Sequence, residues 1–165
     1  MSDDVMSKQE LLQAFAGAYE RVITIAAQLE RQGSGSPHDV WGAREALAHL
    51  AGWEVMANVR IPHVIAGMAP IEFEDEAREQ VMNDAINAAF VALAGERSAA
   101  MLGETLRQAY QRTLAILTPL DDRYFQPGEY VYERTHGAIE HCDEHIQEHM
   151  RLMDGDTQWG DQLGG

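Results

Sequence analysis

Three histidines recur at intervals of four residues near the end of the chain, at His141, His145 and His149. In an α-helix, residues four positions apart lie one above the other on the same face. Neutral imidazole is the commonest metal ligand among protein side chains. Two imidazoles one turn apart can therefore bind one divalent ion if another helix supplies a third ligand. The spacing predicts a metal site on the last helix.

The third ligand is predicted to be His49, which lies one helical turn before Trp53 in a segment rich in alanine and leucine. A buried histidine needs polar partners or loses its charge, and a metal would satisfy one of its ring nitrogens. The alternative is a core histidine that is hydrogen bonded to a neighbouring group. Beside the histidines of the last helix, both interpretations of His49 stay open.

Helical angles decide how far each histidine of the last helix is buried. At about 100° per residue, the histidines lie between an apolar stripe and an acidic face that must be solvated. The apolar stripe is formed by Ile139, Cys142, Ile146, Met150 and Met153, and the solvated face by Glu140, Glu144, Glu148 and Arg151. His141 lies nearest the acidic edge, and the angles favour His149 for burial. His145 is therefore common to every version of the site.

Three carboxylates are candidates for proton transfer at such a site: Glu45, Glu54 and Glu144. Glu45 lies one turn before His49 and is also a candidate ligand or partner of a ligand. The more ordinary interpretation of Glu45 and Glu54 is a surface charge. Cys142 lies on the apolar stripe, so we interpret it as a small buried hydrophobe and not as a nucleophile.

Three nitrogen ligands would leave at least one coordination position for water or substrate. Open positions are typical of catalytic metal sites, whereas structural zinc is usually bound by four protein ligands. Zinc, nickel, iron, manganese and cobalt are all compatible with the predicted ligands. The sequence does not distinguish among them.

Composition excludes several other classes of function. The chain has 165 residues and a net charge of −15, from 27 acidic and 12 basic residues. This charge repels phosphate groups, so neither nucleic acid nor an anionic membrane is an expected partner. A single cysteine excludes an intramolecular disulfide and a zinc cluster built from cysteines. No apolar run reaches membrane-spanning length and the N-terminus lacks an apolar signal core, so we expect a cytoplasmic protein.

Helical periodicity covers most of the chain and no strand is predicted. Ser7 and Glu10 match a capping box, and apolar residues follow at spacings of four and three. We predict helices over about 8–32, 41–68, 77–93, 98–117 and 134–153, with Pro62 expected to kink or break the second. The third and fourth are either one discontinuous element or a short helix followed by a long one. The predicted fold is all-α, a four-helix bundle with an extra short helical segment.

We expect one domain over residues 1–165, with its core at about 7–153 and a flexible tail at 154–165. The connection 121–133 carries four aromatic residues that we expect to pack on the bundle. The tail is rich in glycine and aspartate, which is typical of a mobile terminus.

Two motifs resemble the DinB/YfiT-like superfamily, and within it the branch of DfsB-like and colibactin self-protection proteins. They are Ala-Leu-Ala-His49-Leu-Ala-Gly-Trp53-Glu54 in the second helix and Glu140-His141-x-x-Glu144-His145-Ile146 in the last. Residues 7–12 and 87–89 add to the resemblance, which covers about residues 7–153. It implies an up-down-down-up bundle in which His49, His141 and His145 bind a divalent metal. His149 has no counterpart in the motif and stays the alternative ligand.

The resemblance also implies a function and an assembly. It leads us to expect a metal-dependent enzyme that acts on a small electrophilic or toxic molecule, as a hydrolase or as a thiol S-transferase. A low-molecular-weight thiol would be the cosubstrate of the transferase, and a homodimer is the expected assembly. The alternative is a non-catalytic metal-containing bundle that binds or sequesters a small molecule, and a purely structural bundle is a third possibility.

Overall fold

The structure, a computed structural model, describes residues 5–32, 42–70 and 75–150, with the exception of the His149 side chain. These residues form five α-helices and one 3-10 helix, and they contain no strand. The helices are α1 (Lys8–Arg31), α2 (Ala43–Ile65), α3 (Glu76–Ala94), α4 (Ala99–Leu117), the 3-10 helix (Asp122–Phe125) and α5 (Tyr130–His149). The predicted all-α class is confirmed. None of these helices is both long enough and apolar enough to cross a membrane.

Short polar side chains determine where three of the helices begin. The Ser7 hydroxyl accepts the Glu10 N–H, and the Glu10 carboxylate accepts the Ser7 N–H, which is the capping box predicted for α1. Asp75 caps α3 by accepting the Arg78 N–H, and Ser98 caps α4 by accepting the Met101 N–H. These caps satisfy N–H groups that have no partner inside the helix.

Helices α1, α2, α4 and α5 surround the hydrophobic core. Helix α1 packs on α4 and α5, and α2 packs mainly on α4. The largest fully buried side chains of this core include Phe15, Val22, Leu47, Leu106 and Leu117. Helix α2 also contacts α5, and this contact brings together the two predicted histidine motifs.

Helix α3 lies on the outside of this core and packs on α2. Ala94 is its only buried residue among those described, whereas Val81 and Leu93 are exposed. Gly52 of α2 leaves room for the Phe90 ring, which also packs edge to face against Trp53. Helices α3 and α4 have 19 residues each and are separated at Gly95, whose φ is +54°. They are therefore two distinct elements, and neither is short.

Two helices differ from what the sequence predicted. Of the kink or break predicted at Pro62, the break does not occur: α2 continues to Ile65, because the proline is exposed and lies in the last turn, where few backbone bonds are lost. Helix α5 begins at Tyr130 and not near residue 134. Its first turn contains Val131 and Tyr132, which have low helix propensity but are buried against α1, α4 and Phe125.

Several predicted boundaries lie outside the described residues. The predicted start of the second helix at residue 41 is one of them, and so is the predicted end of the last helix at 153. The tail predicted at 154–165 also lies outside the described part of the chain.

Candidate metal centre

Three histidine side chains from two helices converge at one point of the bundle. Nε2 of His141 lies 2.9 Å from Nε2 of His49 and 3.0 Å from Nε2 of His145. The candidate ligand atoms of all three lie within 4.8 Å of one another. His49 and His145 are buried, and His141 is partly exposed. The structure therefore brings together the two motifs that are 92 residues apart in sequence.

The position of each ring follows from its helix and from its place along that helix. His141 and His145 stand one turn apart on α5, so both rings project from the same face. His49 projects from α2, with its ring edge to face against Trp53 at a centroid distance of 6.4 Å. The same two helices contribute small or aliphatic residues to the main hydrophobic core, among them Ala46, Leu50, Ala138 and Cys142. The three histidine rings lie against one another, with centroid distances of 4.8 Å for His49–His141, 4.7 Å for His49–His145 and 4.6 Å for His141–His145.

The donor set fits a divalent cation. Nε2 of a neutral imidazole carries either one proton or one lone pair. His141 Nε2 lies within hydrogen-bond distance of two other ring nitrogens, and it can serve only one of them by a hydrogen bond. A cation that accepts one lone pair from each ring satisfies all three nitrogens at once. Metal–nitrogen distances of about 2.0–2.1 Å are compatible with nitrogen atoms at these separations.

Electrostatics favour the neutral form of His141 that a metal requires. Burial lowers the pKa of His141 below its usual range, and the nearby charge of Glu144 only partly opposes this effect. Glu144 itself is exposed on the outer face of α5, as the helical angles indicated. Its influence on the site is the effect of its negative charge on the pKa of His141.

The alternative ligand His149 is the last residue of α5, and its side chain lies outside the described part of the structure. Among the described residues, the cluster able to bind a metal consists of His49, His141 and His145.

Glu45 and Glu54 have different structural roles. The half-buried Glu45 carboxylate accepts the Gly42 N–H at 3.1 Å and so helps to begin α2. Glu54 has no exposed surface, so the interpretation of Glu54 as a surface charge is wrong. Tyr19 Oη donates to Glu54 Oε2 at 2.5 Å, and Thr113 Oγ1 donates to Glu54 Oε1. Arg134 Nη2 donates to Glu54 Oε2 at 2.5 Å and forms an ion pair with it.

The buried Glu54 network was not found from the sequence. Burial raises the pKa of Tyr19, and the Glu54 charge raises it further. Burial alone would lower the pKa of Arg134, but the Glu54 carboxylate outweighs it, so the guanidinium stays charged. One signal was available, since Arg134 stands two helical turns before His141 and thus on the same face of α5.

A cavity of about 290 Å³ lies beside His141. Its lining includes the Trp53 ring and the apolar side chains of Leu50 and Ala138, together with Arg60 and Arg134. Because His141 also lines this cavity, a molecule bound there would contact the histidine cluster. The cavity gives the site an approach for a small molecule.

Cys142 is not a member of the cluster of described residues that could bind a metal. Its side chain is fully buried in the core, and burial raises the pKa of the thiol to about 12. The thiol therefore stays protonated at neutral pH and is a poor nucleophile. This position agrees with its interpretation as a small buried hydrophobe.

Comparisons of the chain with protein-family models, with curated proteins and with solved structures gave no match. Membership of the DinB/YfiT-like superfamily therefore stays a prediction that rests on the two histidine motifs.

Proposed function

We propose that the chain is a DinB-like metal-dependent enzyme that acts on a small electrophilic molecule, by hydrolysis or by transfer to a thiol. His49, His141 and His145 hold the divalent ion. The observation that carries this proposal is the convergence of three Nε2 atoms from two helices within 4.8 Å. Zinc, nickel, iron, manganese and cobalt remain candidates, because each accepts imidazole nitrogen.

The same proposal includes the up-down-down-up topology, a homodimer and a cytoplasmic location, all of which follow from the resemblance or the composition. A low-molecular-weight thiol is the proposed cosubstrate for thiol transfer. The small-molecule substrate reaches the site through the cavity beside His141.

A divalent ion in this site would lower the pKa of a bound water or thiol, which makes either one a better nucleophile. The chain itself supplies the surroundings of the reaction. Leu50, Ala57 and Ala138 give the cavity an apolar wall that excludes water from one side of the substrate. His141 lies where the cavity meets the histidine cluster, so the electrophilic atom of the substrate would lie next to this ring.

We assign to Glu54 the role of holding Arg134 in position, and not that of transferring protons. Its two carboxylate oxygens accept bonds from Tyr19, Thr113 and Arg134, and it does not line the cavity. Neither Glu45 nor Glu144 lines the cavity either. A nucleophile bound in this cavity would therefore have to lose its proton without one of these carboxylates acting as the base.

The lack of a carboxylate among the described residues that line the cavity favours one alternative. In this alternative the bundle binds or sequesters a small molecule in the same cavity without turnover. Metal removal would then leave binding of the small molecule intact, whereas it would abolish the proposed catalysis.

A turnover assay separates these two functions. Metal-loaded protein would be incubated with a panel of epoxides, aryl halides and activated alkenes, with and without glutathione, mycothiol or bacillithiol. We expect mass spectrometry to detect a hydrolysis product or a thiol adduct with wild-type protein and not with His49→Ala. The matched control is His63→Ala, an exposed histidine of the same helix. Binding without product, or equal turnover by His49→Ala, would contradict the proposed catalysis.

A further inference from the structure

We propose that the cavity beside His141 binds the anionic group of the substrate, a carboxylate or a phosphate, through Arg134 and Arg60. The orientation of this anion toward the histidine cluster rests on the proposed function, whereas the anion site itself does not. The ligand class is thus a small amphipathic anion.

Arg134 has hydrogen-bonding capacity left over. Its side chain is 17% exposed and lines the cavity. Nη2 donates to Glu54, and Nη1 is covered by the protein. A ligand in the cavity would therefore meet the part of the Arg134 side chain that stays exposed. A guanidinium presents five N–H donors in a planar fork, and an oxyanion is the partner that best matches it.

Arg60 supplies the positive charge that the Arg134–Glu54 pair lacks. Glu54 neutralises Arg134, so this pair alone would attract an anion only weakly. Arg60 lines the same cavity, and its Cζ lies 5.7 Å from the centroid of the Trp53 ring. It forms no ion pair with a carboxylate in the described residues. The cavity is therefore a local positive region in a chain whose net charge is −15.

The remaining walls define the rest of the ligand. Leu50, Ala57 and Ala138 are apolar, and the rings of Trp53 and Tyr130 line the cavity as well. Trp53 is held in place because its Nε1–H donates to Asn87 Oδ1 of α3 at 2.6 Å. A volume of about 290 Å³ suits a ligand with one aromatic ring or a short aliphatic body.

Calorimetric titration with three related probes tests the anion site. The probes are benzoate, phenyl phosphate and the uncharged benzamide, added to protein stripped of metal with 1,10-phenanthroline and then dialysed. We expect at least one of the two anions to bind at least about tenfold more tightly than benzamide, because only an anion forms charge-assisted hydrogen bonds with the arginines. The tighter of the two anions identifies which group the site prefers. Equal affinity for all three probes, or no binding of either anion, would overturn the proposal.

Variants assign the affinity to the two arginines. We expect Arg60→Gln and Arg134→Lys each to weaken binding of the preferred anion by about tenfold. Arg112→Gln, which changes an exposed arginine outside the cavity, is the matched control and should bind as wild type. Circular dichroism shows whether Arg134→Lys folds. If it does not, the double variant Glu54→Gln with Arg134→Met replaces it in the titration, because this variant removes both buried charges. Unchanged anion affinity in Arg60→Gln and in a folded Arg134 variant would contradict the inference.

The design separates this inference from the proposed function. Anion binding by metal-stripped protein that never takes up metal would support the anion site and contradict the metalloenzyme. Metal binding and turnover by a protein that distinguishes neither benzoate nor phenyl phosphate from benzamide would support the enzyme and overturn the anion site.

Discussion

At the scale of single residues, the candidate metal site depends on His141 Nε2, which has two other ring nitrogens close to it. His141 Nε2 lies close to Nε2 of both His49 and His145, and a cation shared by the three rings would satisfy all of these nitrogens, which a single hydrogen bond cannot do. The sequence predicted each of the three histidines, but it could not choose between His141 and His149. Helical angles alone favoured His149 for burial, and this preference stays a prediction because the His149 side chain lies outside the described part of the structure.

His141 and His149 can be told apart by metal affinity. We expect His141→Ala to weaken metal binding by more than about 100-fold, since a direct ligand contributes more than the 10–100-fold typical of its supporting partners. His149→Ala should change the affinity by less than about threefold, within the range of an indirect effect. Competition with a chromophoric chelator measures both. The reverse order of effects would assign the second ligand on α5 to His149.

Glu54 is expected to be the most sensitive carboxylate for stability. Glu54→Ala leaves the Arg134 guanidinium unpaired in the core, which costs about 3–5 kcal/mol of unfolding free energy. Urea unfolding followed by circular dichroism would measure the change. The double variant with Arg134→Met should recover part of the loss, because it removes the unpaired charge. A Glu54→Ala variant within about 1 kcal/mol of wild type would contradict the role of this network.

At the scale of elements, the sequence predicted most helices and missed how they meet. Caps and apolar periodicity are local signals, so they placed α1 and α4 close to their observed bounds. The start of α5 was missed because burial of Val131 and Tyr132 overrides their low helix propensity. The Glu54 network was missed for a similar reason, because its burial depends on α1, α4 and α5 together.

Gly52 is expected to control the contact between α2 and α3. A Cβ atom there would overlap the Phe90 ring, so Gly52→Ala should lower the unfolding free energy by about 1–3 kcal/mol despite a better helix propensity. Gly137→Ala on α5 is the matched control, because a Cβ meets nothing within 4 Å and should stabilise by about 0.5–1 kcal/mol. Urea unfolding measures both variants. Equal stabilisation by both would contradict the close packing of Phe90 on Gly52.

At the scale of the whole molecule, the two helices that carry the histidines are held together by the fold and by any ion between them. A metal that binds only the folded chain stabilises it by about 2.7 kcal/mol at a concentration 100 times Kd. For a chain of this size, that corresponds to a rise in Tm of roughly 5–10 °C. We expect this rise with wild type and not with His145→Ala, in thermal scans with and without added metal. An equal rise in both would point to metal bound elsewhere on the acidic surface.

The relation between α2 and α5 is the part of the site that local sequence signals could not provide. Periodicity places His49 on one helix and His145 on another, but their contact depends on the packing of the whole bundle. The apolar sequence around His49 and the resemblance to a known family both predicted it as the third ligand, but neither provides the geometry of the contact. The cavity depends on the same packing, and of its two arginines only Arg134, two helical turns before His141, had a signal in the sequence.

The measurement that tests the central claim most directly is the metal content of untagged protein, purified after growth with supplemented metals and determined by elemental analysis. We predict about one divalent ion per chain in wild type and in the control His63→Ala, and almost none in His49→Ala or His145→Ala. A wild-type protein without metal, or full metal content in His49→Ala and His145→Ala, would contradict the three-histidine site.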